Sequence, residues 1–564
     1  MQSGLWALQQ GVLAERLLVI GAVLLLAVPL SLGWHPVPTL GSLAEAVAVF
    51  CIAALLAIAP VPAAWDLRRL WLGTGGLLGL LLLRCLMQPL ADDSAYAGFW
   101  IGPLAVLATA FLVCCYWDHR TEQWLRVVAA AVLLAALLNA IIGFLQYWRV
   151  APVLDFLGPY LAYWDRTDTD AHGNVAQRNV LASLCLLGVA ANFYLFPQRT
   201  ARAIATESFL AYVVALTASR TPLLILLTVL LVVLFRDRHW RALGKPALLW
   251  FVAPVLIAQL LAPLVNRLLF WMLDLAPVES SVERLSAHGL GIRPIFYQLA
   301  AEIGMHAGAW GLGWKSLPTA MVAQGYRQQL WGLDELPTNA HNVLLQLWVE
   351  NGLLLALLVS LYPIWLLLRN GFAGPREDYA RLSLAVLVVH SWLEFPLWQP
   401  ALLFLFVALM CTLEHSGQAT KPKPSSLIPR VLLRGTAITV AMAAALTVLQ
   451  FVVVAKSWQQ LPDGGAQGVA AQLTQLRMNP VIEPYADWLE LNLNVDTPAQ
   501  RVVRLERLAR WLPDAMMLGL LADAYRSVGR IMDAQRIDTQ RLVVFGVKPV
   551  PFPDEIQKQA PTGR

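Results

Sequence analysis

The chain has 564 residues, of which 58% are hydrophobic and 14% charged, with a mean hydropathy of +0.60. Soluble domains carry about 25% charged residues, so a single soluble core is excluded and the chain reads as a multi-span membrane protein. The net charge of +5 does not point to nucleic acid, because the basic residues fall between apolar runs, a membrane-topology pattern.

In chain order, about thirteen runs approach the roughly 20 apolar residues that a span needs. They lie near 17–33, 44–60, 71–87, 99–116, 127–147, 179–196, 207–218, 222–235, 247–264, 343–368, 382–398, 400–413 and 431–455. The expected fold class is all-α, a polytopic membrane helical bundle followed by a soluble helical module. With the N-terminus inside, the inner connections hold eighteen basic residues and the outer ones ten, eight of them in the long segments 149–178 and 265–341. The positive-inside rule therefore predicts a cytoplasmic N-terminus and a C-terminal module on the outer side. No small-residue cleavage site follows the first run, which is read as a retained span. The six cysteines lie within or beside apolar runs with no CxxC, so neither a disulfide framework nor a zinc site is expected.

Two domains follow: residues 1–455, with the outer loop 265–341, and residues 456–564. In the second, Leu505 to Trp511, Leu521 to Tyr525, Gly529 and Ala534 form a helical hairpin pattern of tetratricopeptide type. A plain helical bundle accounts for the same pattern.

Polar groups beside apolar helices are the candidate functional residues, since burying them without purpose is costly. The stretch His172 to Asn179 leads into a span. There Asn174, Gln177 and Asn179 fit helix capping, while Gln177 and Arg178 place donors at a helix start, which favours anions. Asp165, Asp168 and Asp170 upstream match no metal loop and read as a solvated turn. Ser219-Arg220-Thr221-Pro222 joins two short spans. Arg220 fits a snorkelling role and a bidentate grip on phosphate equally. Arg293 opens a helical stretch ahead of Gly311-Leu312-Gly313, where the helix dipole disfavours a cation unless an anion or a carboxylate such as Glu302 is near.

Asn342, Gln346 and Glu350 recur every four residues behind His341 and form one polar stripe. An unbroken helix from His341 to Arg369 would run about 43 Å. That exceeds the roughly 30 Å hydrocarbon core, so its polar first third is expected at the outer boundary, lining a cavity. His390, Glu394 and Trp398 are also four apart, ahead of a kink expected at Pro396. They fit a site or a mutual His–Glu bridge.

These parts are arginines, amides and a well-placed histidine, with no P-loop, metal motif or nucleophile elbow. They suit a donor that is already activated and whose leaving group is anionic, such as a lipid-linked diphosphate sugar. Arginines would stabilise the departing charge, and a histidine would deprotonate an acceptor hydroxyl.

His341 through Gln346, Glu350-Asn351-Gly352 and the preceding Arg293…Gly311-Leu312-Gly313 segment resemble the O-antigen ligase/polymerase superfamily of WaaL and Wzy types. Gly173 to Asn179 and His390 to Trp398 narrow the resemblance to bacterial protein O-oligosaccharyltransferases of the PglL kind. The resemblance covers most of the chain from about residue 165. It implies a GT-C-type inner-membrane enzyme that transfers a preassembled oligosaccharide from undecaprenyl diphosphate to Ser or Thr of periplasmic proteins, commonly pilins. By that resemblance His341 is the essential histidine, Arg220 and Arg293 bind the diphosphate, and Gln177 is functional. Arg178, Asn174, Asn342, Glu394 and His390 join it as expected substrate-binding residues, with no metal or cofactor. The chain departs from the branch at Arg178, where a proline is usual, and at Phe395 and Gln399, where tyrosines are usual. An O-antigen ligase or polymerase differs only in acceptor. A lipid or polysaccharide transporter would show two related halves with interrupted helices, a repeat not evident in the sequence.

Overall fold

The structure, a computed structural model, describes residues 19–59, 72–88, 96–117, 121–150, 171–237, 246–273, 293–324, 339–369, 374–415, 427–461, 466–493 and 496–546, with 61, 70, 158, 162 and 163 between them. The Asp165–Asp170 cluster, the acidic pair at 92–93, the chain before residue 19 and residues 274–292 and 325–338 of the 265–341 loop lie outside the described residues.

All regular structure among the described residues is helical. After the apolar helix Val19–Leu30 come α1 (Leu40–Ile58), α2 (Thr74–Met87), α3 (Gly98–Tyr116), α4 (Thr121–Tyr147), α5 (Arg178–Leu195), α6 (Ala201–Leu216), α7 (Thr221–Asp237) and α8 (Pro246–Met272). Next are α9 (Arg293–His306), α10 (Leu317–Gln324), α11 (Val343–Asn351), α12 (Leu353–Arg369), α13 (Pro375–Leu393), a 3-10 turn Pro396–Trp398, α14 (Pro400–Glu414) and α15 (Leu427–Gln460). The remaining helices are α16 (Ala466–Leu476), α17 (Glu483–Leu493), α18 (Pro498–Trp511), α19 (Ala515–Ser527) and α20 (Ile531–Phe545). Every predicted apolar run contains helix among its described residues, with non-helical positions that include 31–33, 352 and 394–395. Among the described residues, six helices are long and apolar enough to cross a membrane, and five shorter ones are apolar.

Burial ranks these helices. In α5, 89% of the span is buried within the protein, against 28% for α15. Small residues allow this crowding: a Cβ on Gly188 would stand 2.6 Å from Ala136 on α4 and 3.0 Å from Leu210 on α6. Around α5 pack α4, α6, α7, α8 and α13, sharing one apolar core. A second core joins α1, α2, α3, α14 and α15. Leu432, Met442, Leu446 and Leu449 of α15 are exposed, as on a lipid-facing helix.

Helices α5 and α13 are antiparallel. Asn179 Nδ2 donates to Glu394 at one end, and Tyr194 stacks on Tyr379 at 5.1 Å at the other.

The expected unbroken helix from His341 to Arg369 is not formed. It breaks at Gly352, whose φ of +85° ends α11 and turns the chain into α12. The break lets the Gly311–Gly313 loop close on the end of α11, where Leu312 and Gly313 donate to the Val349 and Glu350 carbonyls at 2.8 and 2.9 Å. A side chain at Gly352 or Gly311 would collide: a Cβ on Gly352 would run into the Ala309 carbonyl oxygen, and one on Gly311 would lie 2.5 Å from the Asn351 nitrogen.

The C-terminal helices α16 to α20 pack each on the next. Thr497 caps α18 in a reciprocal capping box with Gln500, and Asp514 caps α19. Leu505, Leu508, Met517 and Leu521 of this module share a core with Phe296, Leu299 and Ile303 of α9 and Val349 of α11.

Candidate active site

The site is built where α13 ends. A proline at 396 disfavours helix in the residue before it, so α13 stops at Leu393 and Glu394 is extended, with φ −153° and ψ −160°. This corrects the expected kink at Pro396. It also removes Glu394 from the helical stripe that was to join it to His390 and Trp398. The Glu394 amide still donates to the His390 carbonyl at 2.8 Å, which fixes where the side chain starts.

Three other segments converge on that buried carboxylate. Oε1 accepts from Asn179 Nδ2 at 2.8 Å and pairs with the Arg293 guanidinium. Oε2 meets His341 Nδ1 at 2.5 Å. Burial pushes the Glu394 carboxyl up, but the His341 hydrogen bond and the Arg293 charge outweigh it and hold it below the usual carboxylate range. A carboxylate on Nδ1 selects the tautomer whose lone pair is on Nε2, the form of a general base. The His341 and Arg293 side chains remain 24% and 26% exposed, so both stay accessible.

His341 is held from all sides. It takes a positive φ of +52°, a strained position for a residue with a Cβ. Tyr297 donates to its carbonyl at 3.1 Å, the Phe296 ring stacks at 5.8 Å, and Phe395 approaches edge-on at 5.2 Å. Asn342 follows as the N-cap of α11, accepting from the Leu345 amide at 3.1 Å and donating to the Trp392 carbonyl at 3.0 Å. Its two polar atoms thus brace the turn. Arg293 is the first residue of α9, and the carboxylate that answers its disfavoured position is Glu394 rather than Glu302, which accepts from Gln298.

Ser219 Oγ donates to Asn179 Oδ1 at 2.6 Å, so the turn between α6 and α7 joins the same network two bonds from Glu394. Arg220, half-buried, is the next residue, ahead of α7. Gln177 is at the N-cap position of α5 without a capping bond from its side chain, and Arg178 is exposed beside it. Ala176 and Ala218, just before these two segments, also have positive φ, at +54° and +48°. The Arg293 guanidinium is paired with Glu394, and Arg220 follows Ser219 directly in the chain.

Other expected residues are placed elsewhere. Asn174 is buried, its Nδ2 donating to the Ser31 carbonyl at 2.7 Å and its Oδ1 accepting from the Tyr163 amide at 2.9 Å, so it clamps a loop. His390 is fully buried in α13 and makes no direct hydrogen bond to Glu394, so the expected mutual His–Glu bridge is not formed. The last two residues of the stripe behind His341 face the protein interior rather than solvent. Gln346 and Glu350 are buried, bonded to each other at 2.7 Å and to the Ala340 and Lys315 amides, and so tie α11 to its flanking loops. Burial pushes the Glu350 carboxyl up to about 8.

The sequence reading gave Asn179 and Ser219 only capping and turn roles and passed over Tyr297. Tyr297 follows Arg293 by four residues, a spacing that puts both on one face of α9. Among the described residues no cluster of three or more His, Cys, Asp or Glu is arranged to hold a metal ion.

With this geometry in place, the comparisons are specific. Residues 207–360 match the family model described as O-antigen ligase. Residues 379–551 match that of the virulence factor membrane-bound polymerase, C-terminal. The first match contains Ser219, Arg220, Arg293 and His341, and the second contains His390, Glu394 and most of the module. A general O-oligosaccharyltransferase of Acinetobacter baylyi (strain ATCC 33305 / BD413 / ADP1) is 27% identical over 278 residues. That alignment covers 47% of this chain and 47% of the relative, so the chain spans about half the length of the curated protein it matches. Together these findings support the resemblance to PglL-like protein O-oligosaccharyltransferases within the WaaL/Wzy superfamily.

Proposed function

We propose that this protein is an oligosaccharyltransferase of the bacterial inner membrane. It moves a preassembled glycan from undecaprenyl diphosphate to Ser or Thr hydroxyls of periplasmic proteins, pilins among them. The N-terminus is cytoplasmic, and the site and C-terminal module face the periplasm. The acceptor oxygen attacks the anomeric carbon of the first sugar, and the bond from that carbon to the diphosphate oxygen breaks. The lipid diphosphate leaves with the bonding electron pair, and the acceptor proton passes to Nε2 of His341. Glu394 orients the imidazole and stabilises its charged form. Arg293, which pairs with Glu394 through part of its fork, and Arg220 stabilise charge on the departing diphosphate. Gln177 and Arg178 bind the donor at the start of α5.

The observation that carries this reading is the sharing of Glu394 by His341 and Arg293, which brings a base and an anion-binding group to one carboxylate. The test is reconstitution with purified lipid-linked oligosaccharide and a candidate pilin. Transfer is expected from the intact protein and none from a correctly inserted His341→Ala variant; normal transfer by that variant overturns the assignment of the base. The O-antigen ligase description of residues 207–360 favours one alternative acceptor, lipopolysaccharide. Glycan-sized mass shifts on periplasmic proteins that vanish in a deletion strain favour protein acceptors, and loss of capped lipopolysaccharide alone favours the ligase.

A further inference from the structure

The contacts between α5 and α13 define one antiparallel register. Asn179 lies opposite Glu394, and Tyr194 lies opposite Tyr379. Four residues inward from Asn179 is Ser183, and four residues inward from Glu394 is His390. In that register the two fall opposite each other, one helical turn, about 6 Å, beneath the carboxylate. Both are buried. Neither Ser183 Oγ nor either ring nitrogen of His390 finds a hydrogen-bonding partner within the protein. The carbonyl-bonded Ser391 beside them shows that a hydroxyl here is readily satisfied by its own helix, since it donates to Leu387 at 2.6 Å.

Glu394 has capacity to spare. An ionised carboxylate offers about four acceptor positions. Asn179 and Arg293 occupy two on Oε1, and His341 occupies one on Oε2. One position on Oε2 is left, and His390 is within electrostatic reach of both Glu394 and Arg293. A buried water needs two to four polar partners. Ser183 Oγ, an imidazole nitrogen of His390 and the last position on Glu394 supply three.

Resting on the reading of His341 and Glu394 given above, we propose that a buried water links Ser183, His390 and Glu394, and that His390 is a positioning residue for the carboxylate that orients the base. It touches no substrate. It keeps Oε2 aimed at His341 Nδ1 from the side opposite Arg293, so that when Arg293 shifts toward a diphosphate the carboxylate stays in place.

The test pairs kinetics with a readout independent of turnover. In the reconstituted assay His390→Leu is expected to lower kcat about tenfold, with the KM for lipid-linked oligosaccharide within about twofold. His390→Gln, which can still hold the water, is expected to regain most of the loss. Ser183→Ala added to His390→Leu is expected to cost nothing further. Wild-type kcat in His390→Leu, a loss confined to KM, or independent losses in the double variant each overturn the proposal. Separately, 15N resonances of the His390 ring in the full-length protein in lipid are expected to shift on Ser183→Ala; unchanged resonances also overturn it. If the wild-type protein transfers no glycan while those resonances shift, the reaction assignment fails and the water-linked layer stands.

Discussion

Glu394 ties together Asn179, Arg293 and His341, and its charge is what holds them. The amide in Glu394→Gln keeps the shape but loses the ion pair and presents the wrong group to His341. Turnover is expected to fall about 10²- to 10³-fold, within the range general-base catalysis contributes, with the protein still folded. Single-turnover transfer of a radiolabelled glycan measures it. The sign of the pH effect follows from the lowered pKa of Glu394. A depressed carboxyl contributes stability above its unfolded value and loses it only as pH falls through the folded value. The difference in thermal midpoint between wild type and Glu394→Gln is therefore expected not to shrink between about pH 8 and 5 and to shrink only below about pH 4. Shrinkage near pH 6 contradicts this account.

Among the helices, hydrophobic runs and Pro or Gly punctuation made most of the bundle legible in the sequence. Arg293, His341 and Glu394 stood out because each is a costly group beside an apolar run. What was not legible depends on distant contacts. The spacing of Asn342, Gln346 and Glu350 indicated a polar stripe, but not that its partners would be the Ala340 and Lys315 amides rather than water. The break at Gly352 was hidden because a glycine within an apolar run also fits a continuous helix, and only the Gly311–Gly313 loop packed against it decides. Asn179 passed for a cap because its true partners lie 40 and 215 residues away. Gly352→Ala should be among the most damaging small substitutions, since it combines a positive φ with a backbone collision. A loss of more than about 2 kcal/mol is expected, measured by thermal melting in detergent. Asn342→Ala removes an ordinary cap and is expected to cost about 1 kcal/mol.

For the molecule as a whole, the C-terminal module is mounted on the bundle rather than tethered to it. Asp487 of α17 accepts from Tyr96 at 2.7 Å and from Arg477 and Arg504 at 3.0 Å each, while Arg507 lies 4.2 Å over the Tyr96 ring. The module also covers the apolar side of α9, whose first residue is Arg293. Asp487→Ala takes the acceptor from the buried Tyr96 hydroxyl, while Arg477, Arg504 and Arg507 keep Glu490, Asp496 and Glu483 as partners, and a cost of about 1–3 kcal/mol is expected by thermal melting in detergent. Truncation after residue 461 is expected to abolish transfer to any acceptor, small peptides included, because α9 loses its support. A truncated protein that still glycosylates a peptide at the wild-type rate would make the module a recruitment device only. Because the proposed reaction routes no step through a metal, chelator is expected to leave the rate unchanged in the same assay.

The carboxylate network draws on residues 179, 219, 293, 341 and 394, carried by segments that leave the ribosome far apart in time. A partly synthesised chain holds the arginines and the histidine but lacks the group that aims them. On the proposed mechanism the nascent polypeptide is chemically silent until the late helix ending at Leu393 has packed beside α5. On the proposed reaction, a growing chain would therefore not squander lipid-bound sugar on stray water during its own biogenesis.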